Sequence, residues 1–283
     1  TYRLNPYALY VSRLCGIKAV VHVHDCIEKK HIQSFLLNQS PVIIVPSLYM
    51  KSCFKNSDAR IFVLPNGIAG DIFANIPMGK IRREFGIRPD AVVVTMVSHF
   101  TEKKGHRFFI EAASRIAQTD SSSVFMIVGD NIYGGPLNMR ELKKICKEKQ
   151  MESRMIFTGQ RKDVAEILVD SDIFILPSRN EPFGLVVVEA MAAGLPVIVD
   201  SKSGGPAEIA ADGEYGICVD CSNADALAEA VLKFVHDDEL RARFVEAGLK
   251  RARECYDVSV FRKNLRGIFN DVFQDSVPAR DSG

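Results

Sequence analysis

Short, unbroken runs of apolar, often β-branched residues recur along the chain and constrain its fold more than any other feature. Runs without polar alternation are typical of strands covered on both faces, as in a parallel sheet. Eight runs predict strands, over residues 19–24, 42–45, 61–64, 92–97, 124–128, 173–176, 197–199 and 217–219.

Segments with helical periodicity separate these runs. They predict helices over residues 106–117, 137–149, 164–169, 184–193, 224–235 and 240–255. Asn223 and either Asp237 or Asp238 precede two of them and are suitable N-caps. A strand–helix–strand repetition of this length predicts an α/β, doubly wound architecture.

Composition narrows the class of protein further. The 283 residues suffice for roughly two domains. Lys and Arg total 36 against 35 Asp and Glu, which excludes a strongly basic nucleic-acid-binding protein. The seven cysteines are an odd number, and the pair Cys218 and Cys221 lacks the second pair of a zinc site. We therefore expect free thiols and a reducing, cytoplasmic location.

The charge is unevenly distributed along the chain. Residues 1–75 carry eight basic and four acidic residues, whereas the remainder carries 28 basic and 31 acidic. Chance is one explanation. The other is that the first part faces an anionic acceptor or the inner face of a membrane, to which the protein would bind peripherally.

A stretch rich in Gly and Pro, residues 65–89, predicts a hinge between two Rossmann-like units. In such folds ligands bind at the carboxyl ends of the strands. The loops that follow Val97, Val128, Leu176 and Val199 are therefore the places to look for a site.

The loop and helix after the strand at 173–176 carry the strongest chemical signal. Glu181 and Glu189 bracket seven residues, and Phe183 and Gly184 open a helix between them. The free N–H groups at a helix start bind anions, and carboxylates accept hydrogen bonds from vicinal hydroxyls, so the arrangement suits a nucleotide sugar. The alternative is a capped core helix with two solvated acids.

This run resembles the E-x7-E signature of glycosyltransferase family 4, the retaining GT-B enzymes. Further segments resemble that family in order, at residues 64–68 with Phe73, 96–99, 103–105, 157–160, 192–198, 203–208 and 212–216, so that the likeness covers about residues 9–273. It implies two Rossmann-like, doubly wound domains with a cleft between them. It also implies transfer of a sugar from a nucleotide-diphosphate donor to an acceptor hydroxyl with retained configuration, a hexosyltransferase-like activity (EC 2.4) in polysaccharide or glycoconjugate biosynthesis.

The same resemblance divides the chain. Residues 1–74 would be a partial, acceptor-side domain, 75–255 the nucleotide-sugar-binding domain, and 256–283 a helix packing back on the first domain, followed by a tail. Because the family's first domain opens with a strand and a glycine-rich loop, and the chain starts at Thr1 just before a helix, we expect an incomplete first domain. The implied partners are a nucleotide sugar and a carbohydrate or lipid-linked acceptor, with no nucleic acid.

Residue by residue, the resemblance implies a donor site. Glu189 would bind the ribose hydroxyls, Glu181 the hydroxyls of the transferred sugar, and Lys104 the diphosphate. Gly204 and Gly205 are expected to serve packing. The sugar and phosphates would also be cradled by three backbone amides, those of Phe183, Gly184 and Leu185.

The sequence departs from the family at Ser98 and His99, where Gly-Arg is usual. Arg is always charged, whereas His is mostly neutral at pH 7 unless a phosphate raises its pKa. We therefore predict that donor binding strengthens as the pH falls through the pKa of His99. In the alternative, His99 only packs and Lys104 alone neutralises the diphosphate.

In the first part, His24 matches the family's histidine that faces the transferred sugar across the cleft. His22 lies two residues earlier on the same face, but a metal pair would need a third ligand, and none is evident. Ser47 follows the strand at 42–45 and should also face the cleft.

The tripeptide Asp170-Ser171-Asp172 looks like a metal-binding D-x-D motif, but it precedes its strand and so lies at the amino end, away from ligands. We therefore expect no metal and no cofactor. Two alternatives remain open. A nucleotide-sugar epimerase of the same fold would need acid/base carboxylates in the cleft, for which the first part offers Asp25 and Glu28. A non-catalytic nucleotide-sugar-binding fragment would show no turnover.

Overall fold

A computed structural model describes residues 10–12, 14–17, 19–25, 42–54, 59–132 and 134–274. Glu28 and the tail at 275–283 lie outside the described residues. Within the described part of the chain, no helix is long and apolar enough to cross a membrane.

Two parallel sheets organise the described residues. The first has the order β1-β2-β3, and its strands are β1 (Val20–His22), β2 (Val42–Val45) and β3 (Arg60–Val63). The second has the order β6-β5-β4-β7-β8-β9, from strands β4 (Val93–Val97), β5 (Val124–Val128), β6 (Met155–Gly159), β7 (Ile173–Leu176), β8 (Val197–Asp200) and β9 (Ile217–Val219). Its strand order reverses between β4 and β7, and such a switch point is where doubly wound sheets bind ligands.

The helices lie between and beside these strands. They are α1 (Leu48–Ser52), α2 (Lys80–Glu84), α3 (His106–Ile116), α4 (Met139–Glu148), α5 (Val164–Val169), α6 (Leu185–Ala192), α7 (Gly205–Ile209), α8 (Ala224–His236), α9 (Asp238–Tyr256) and α10 (Val258–Gln274). Within the described ranges, short 3-10 turns occur at Gly70–Phe73, Glu102–Lys104 and Ala211–Gly213. Asn223 caps α8 and Asp237 caps α9 through their side-chain oxygens, as predicted.

The predicted strands and helices are present, with ends that move by at most two residues. One strand, β6, was not predicted. It is an edge strand whose Ile156 and Phe157 are half-buried and whose last residues are Thr158 and Gly159, so it lacks the unbroken apolar run of a central strand.

The second sheet is covered on both faces. Phe109 of α3 and Phe234 of α8 belong to the core cluster on one face, with Phe125 of the sheet. Val187 of α6 and Tyr256 of α9 pack on the other. Continuous apolar strands are therefore matched by helices above and below, which is the three-layer arrangement that the sequence predicted.

The chain passes between the two sheets twice, and the two passages are hydrogen-bonded to each other. The Ile68 amide donates to the Tyr256 carbonyl at 2.8 Å, and the Val258 amide donates to the Ile68 carbonyl at 2.8 Å. A Cβ on Gly67 would lie 2.7 Å from the Cβ of Phe261, so only glycine fits this crossing. Beyond it, α10 packs against the first sheet through a cluster that includes Ile268 and Val272.

The D-x-D tripeptide anchors α2 to the second domain. Asp170 accepts hydrogen bonds from the amides of Gly79 and Ile81, the latter at 2.7 Å. Asp172 accepts from Arg82 at 2.5 Å and from the Val93 amide at 2.7 Å. Asp170 therefore holds the start of α2, and Asp172 holds the start of β4. Both carboxylates lie at the amino end of the sheet, as the position of the motif indicated.

Candidate active site

Lys104 and Glu181 meet at the carboxyl end of the second sheet, beside its switch point. Lys104 ends the 3-10 turn after β4, and Glu181 lies on the loop after β7. The Lys104 ammonium donates to Glu181 Oε2, and both side chains are mostly buried, with 15% and 17% exposed. The structure thus brings two predicted donor-site residues into direct contact.

The backbone of Glu181 is fixed from behind by the turn before α7. The Glu181 amide donates to the Ser203 carbonyl at 2.7 Å, and the Gly205 amide donates to the Glu181 carbonyl at 2.9 Å. A Cβ on Gly205 would lie 2.4 Å from Phe183 Cα, so a side chain here would displace the loop. Gly205 therefore serves packing, and that packing sets the position of Glu181.

The loop that carries His99 and Lys104 is held in a similar way. A Cβ on Gly129 would lie 1.9 Å from the Ser98 carbonyl oxygen, and one on Gly105 would lie 2.4 Å from the Pro177 carbonyl oxygen. The Arg179 amide also donates to the Lys103 carbonyl at 2.9 Å. Close backbone contacts thus join the loops after β4, β5 and β7 into one surface.

Helix α6 begins beside Glu181. Gly184 is its N-cap, with φ 89°, and no side chain caps the helix. Among the described residues, the amides of Gly184, Leu185 and Val186 donate to no acceptor. The Phe183 ring is buried edge-on against Tyr256, so this residue presents only its backbone to the site. Open amides at a helix start are a suitable anion site.

Glu189 lies on the fifth residue of α6. Its carboxyl is half-buried, and burial raises its pKa. No described residue donates a hydrogen bond to it. A desolvated acceptor without a protein donor gains most from hydroxyl groups supplied by a ligand.

His99 is half-buried beside these groups. Burial lowers its pKa, and Lys104 lowers it further, whereas Glu181 and Asp25 act in the opposite direction. The free ring is therefore neutral near pH 7. Asp25 follows β1, so the first domain reaches the loop after β4 of the second and contributes to the electrostatics of the site.

His22 and His24 lie together at the end of β1, with ring centroids 3.9 Å apart. Burial, and then the neighbouring ring of His24, lower the pKa of His22 to about 4. Burial also lowers the pKa of His24, which is nevertheless the exposed member of the pair. Both rings are uncharged near pH 7, which favours hydrogen bonding to a neutral sugar over binding of a phosphate. Across the described residues, no group of three or more His, Cys, Asp or Glu is placed to hold a metal ion.

Three supporting residues were not predicted from the sequence. His106 is buried at the start of α3, with its Nε2 3.1 Å from Ser98 Oγ. Arg179 donates to Asp220 at 2.8 Å and lies 3.5 Å from the buried carboxylate of Asp200. The third is Glu208 on α7, described below. A charged or imidazole side chain directly at a helix start or strand end is the signal that could have identified the first two.

Comparisons with known proteins establish the family of the chain. The family model described as glycosyl transferases group 1 matches residues 78–251, well over half of the chain. The chain therefore belongs to the glycosyl transferases group 1 family. The matched segment contains the second sheet, both loops and α6.

Two curated relatives are similar to this chain over most of its length. A UDP-Gal:alpha-D-GlcNAc-diphosphoundecaprenol alpha-1,3-galactosyltransferase of Escherichia coli is 30% identical over 256 residues, which cover 81% of this chain and 63% of that protein. An N-acetyl-alpha-D-glucosaminyl L-malate synthase of Bacillus anthracis is 25% identical over 240 residues, 85% of this chain and 58% of that protein. The chain thus spans about 60% of the length of these two relatives.

Solved structures agree on the fold. HepE of Anabaena, in complex with UDP and glucose, superimposes with a TM-score of 0.85 at 23% identity over 95% of this chain and 76% of that one. WaaG, a glycosyltransferase involved in lipopolysaccharide biosynthesis, gives 0.73 at 20% identity, over 89% and 75%. The chain has the GT-B fold, with two Rossmann-like sheets.

Proposed function

We propose that the protein is a retaining hexosyltransferase that moves a sugar from a nucleotide diphosphate to an acceptor hydroxyl. The observation that carries the proposal is the pairing of Lys104 with Glu181 beside the open amides of α6. Together they place a cation, a hydroxyl-binding carboxylate and an anion-binding helix start at one switch point.

In the proposed donor complex, each of these groups binds one part of the nucleotide sugar. The diphosphate sits at the amides of Gly184 and Leu185, and Lys104 turns from Glu181 to the phosphates. Glu181 is then free to accept hydrogen bonds from hydroxyls of the transferred sugar. Glu189 accepts from the ribose hydroxyls. Because Lys104 and Glu181 neutralise each other in the free protein, neither charge is left buried and unpaired before the donor arrives.

The reaction proceeds on one face of the sugar. The bond between the anomeric carbon and the phosphate oxygen breaks while a bond to the acceptor oxygen forms on the same side, and the acceptor proton passes to the leaving phosphate. The protein supplies positioning and charge stabilisation rather than a covalent nucleophile. Lys104, the α6 amides and, when protonated, His99 stabilise the developing negative charge on the phosphate, while His24 faces the transferred sugar. No metal or other cofactor takes part in this scheme.

We propose a UDP-sugar as donor, because HepE of Anabaena holds UDP and UDP-glucose on the same fold. A carbohydrate or lipid-linked acceptor is supported by the E. coli relative, whose name describes a diphosphoundecaprenol-linked substrate. Such an acceptor fits a cytoplasmic enzyme that binds peripherally at the inner face of the membrane.

A panel of UDP-, GDP- and ADP-sugars in a thermal-shift assay tests the donor. A ligand at 100 times its dissociation constant adds roughly 2.7 kcal/mol of stability. Release of UDP from the stabilising sugar is then measured for the wild type, for Glu181→Ala, and for Glu254→Gln as a surface control on α9. We expect turnover in the wild type and the control only. Epimerised donor without an acceptor would identify the epimerase instead, and absence of any turnover would identify a binding protein.

A further inference from the structure

The first helix of the first domain is held by a carboxylate of the second domain. Glu208 on α7 accepts hydrogen bonds from the amides of Leu48, at 2.9 Å, and Tyr49, the first two residues of α1. One carboxylate oxygen takes each amide. Hydrogen bonds to an ionised acceptor are roughly twice as strong as neutral ones. This pair joins residues about 160 positions apart, across the cleft.

The same helix start also contacts the loop that carries Glu181. The Ser47 hydroxyl donates to the Pro182 carbonyl at 2.6 Å, and Ser47 is only 3% exposed. The Tyr49 hydroxyl donates to Asn180 Oδ1 at 3.1 Å. Ser47, predicted to face the cleft, therefore bridges it, and the two hydrogen bonds reach the residues directly before and after Glu181.

A close backbone approach completes the contact. A Cβ on Gly204 would lie 2.6 Å from Tyr49 Cδ1, so the glycine leaves room for the tyrosine ring. Gly204 and Gly205 belong to the turn that also pairs with the Glu181 backbone. One short segment, residues 203–208, therefore holds Glu181 from behind and α1 from the side.

We propose that Glu208 is a positioning residue. Its two hydrogen bonds to α1, together called the clasp, hold the first domain against the Glu181 loop. Glu181 is thereby correctly placed relative to the acceptor domain when the cleft is closed. The inference rests on the proposed glycosyl transfer. Because the clasp joins the two domains and touches none of the amides or side chains assigned to the donor, its loss should slow the reaction without weakening nucleotide binding. Residues that merely support the donor domain would weaken both.

The test compares Glu208→Gln and Glu208→Ala with Glu254→Gln, an exposed glutamate on α9, all in the full chain. A glutamine keeps one acceptor oxygen and turns its amide group toward the second backbone N–H. We expect kcat to fall about tenfold or more in both Glu208 variants, with the dissociation constant for UDP within about twofold of wild type. Small-angle scattering with saturating UDP should show a larger radius of gyration for both variants, and the control should match the wild type.

Unchanged kcat in both variants would overturn the proposal, as would a parallel loss of UDP affinity or an unchanged radius of gyration. If Glu208→Ala does not fold, the glutamine variant and Tyr49→Phe decide, since each removes a part of this interdomain contact with little change in volume. A wild type that turns over no nucleotide sugar would refute the proposed function. The scattering comparison would still decide whether Glu208 holds the domains closed.

Discussion

Alanine at Gly205 tests whether packing behind the donor loop sets the position of Glu181. The backbone of Gly205 lies outside the left-handed region, so alanine is conformationally acceptable there and the added methyl group is the whole perturbation. That methyl would lie 2.4 Å from Phe183 Cα and 2.7 Å from the carbonyl oxygens of Phe183 and Pro182. All three atoms belong to backbone, so a rotamer change cannot relieve the clash.

The expected cost follows from the geometry. Overpacking typically destabilises a protein by about 1–3 kcal/mol. For a domain of the size of the second one, each kcal/mol lowers the melting temperature by about 2–4 °C. If the loop moves instead, the start of α6 moves with Phe183, and UDP binding weakens together with sugar transfer. We therefore expect the variant to have a melting temperature several degrees lower, a lower affinity for UDP, or both.

The assay pairs thermal melting with UDP titration by calorimetry. Gly267→Ala is the matched control, because that glycine lies within α10 and an added Cβ meets no atom within 4 Å. Alanine there should stabilise the helix by roughly 0.5–1 kcal/mol. A Gly205→Ala protein with the melting point and UDP affinity of the wild type would refute the packing argument.

The remaining predictions concern charge at the donor site. Lys104→Gln should weaken UDP binding by about tenfold to a hundredfold, because it removes a hydrogen bond between charged groups. The control Lys103→Gln should leave UDP affinity unchanged. Equal affinities of the two variants would contradict the role of Lys104. Burial and the nearby Lys104 ammonium hold the pKa of free His99 below the usual histidine value of 6.5. A bound diphosphate would raise this pKa, so UDP affinity should increase as the pH falls through the pKa of the bound form and level off below the pKa of the free form. A flat affinity from about pH 5 to 8 in the wild type, matching His99→Gln, would refute this. Transfer measured in EDTA should equal transfer in Mg²⁺ or Mn²⁺; loss of activity in EDTA with recovery on metal addition would contradict the metal-free scheme.

The sequence predicted the second sheet well because its strands are continuous apolar runs and its helices carry readable caps. The strands β5, β7 and β9 have the predicted bounds. The edge strand β6 escaped because partial exposure removes the uniform pattern on which such a prediction depends. The spacing of Glu181 and Glu189 could be recognised in the sequence because both residues belong to one continuous loop and helix. Their role in donor binding stays a prediction.

The contacts between distant segments could not be predicted in this way. Lys104 and Glu181 are 77 residues apart, and both were assigned to ligands rather than to each other. Glu208 and Leu48 are 160 residues apart, and nothing local marks Glu208 as an interdomain residue. The predicted site residues came from the ends of strands and from the family resemblance. Neither says which loops pair, because pairing between loops depends on how the strands are ordered in the sheet.

The crossing at Ile68 and Asp257 has a mechanical consequence. A single connecting segment would let one domain swing in any direction relative to the other. Here the segment that leaves the first domain at Ile68 is joined to the segment that returns to it at Asp257 by two hydrogen bonds of 2.8 Å. Gly67 also lies directly against the start of α10. Both hydrogen bonds involve Ile68, so the two connections are held together at one point and neither can move there without the other. Opening and closing of the cleft should therefore be a rotation about this crossing. Each cycle of substrate entry and product release would then return α1 to the same place.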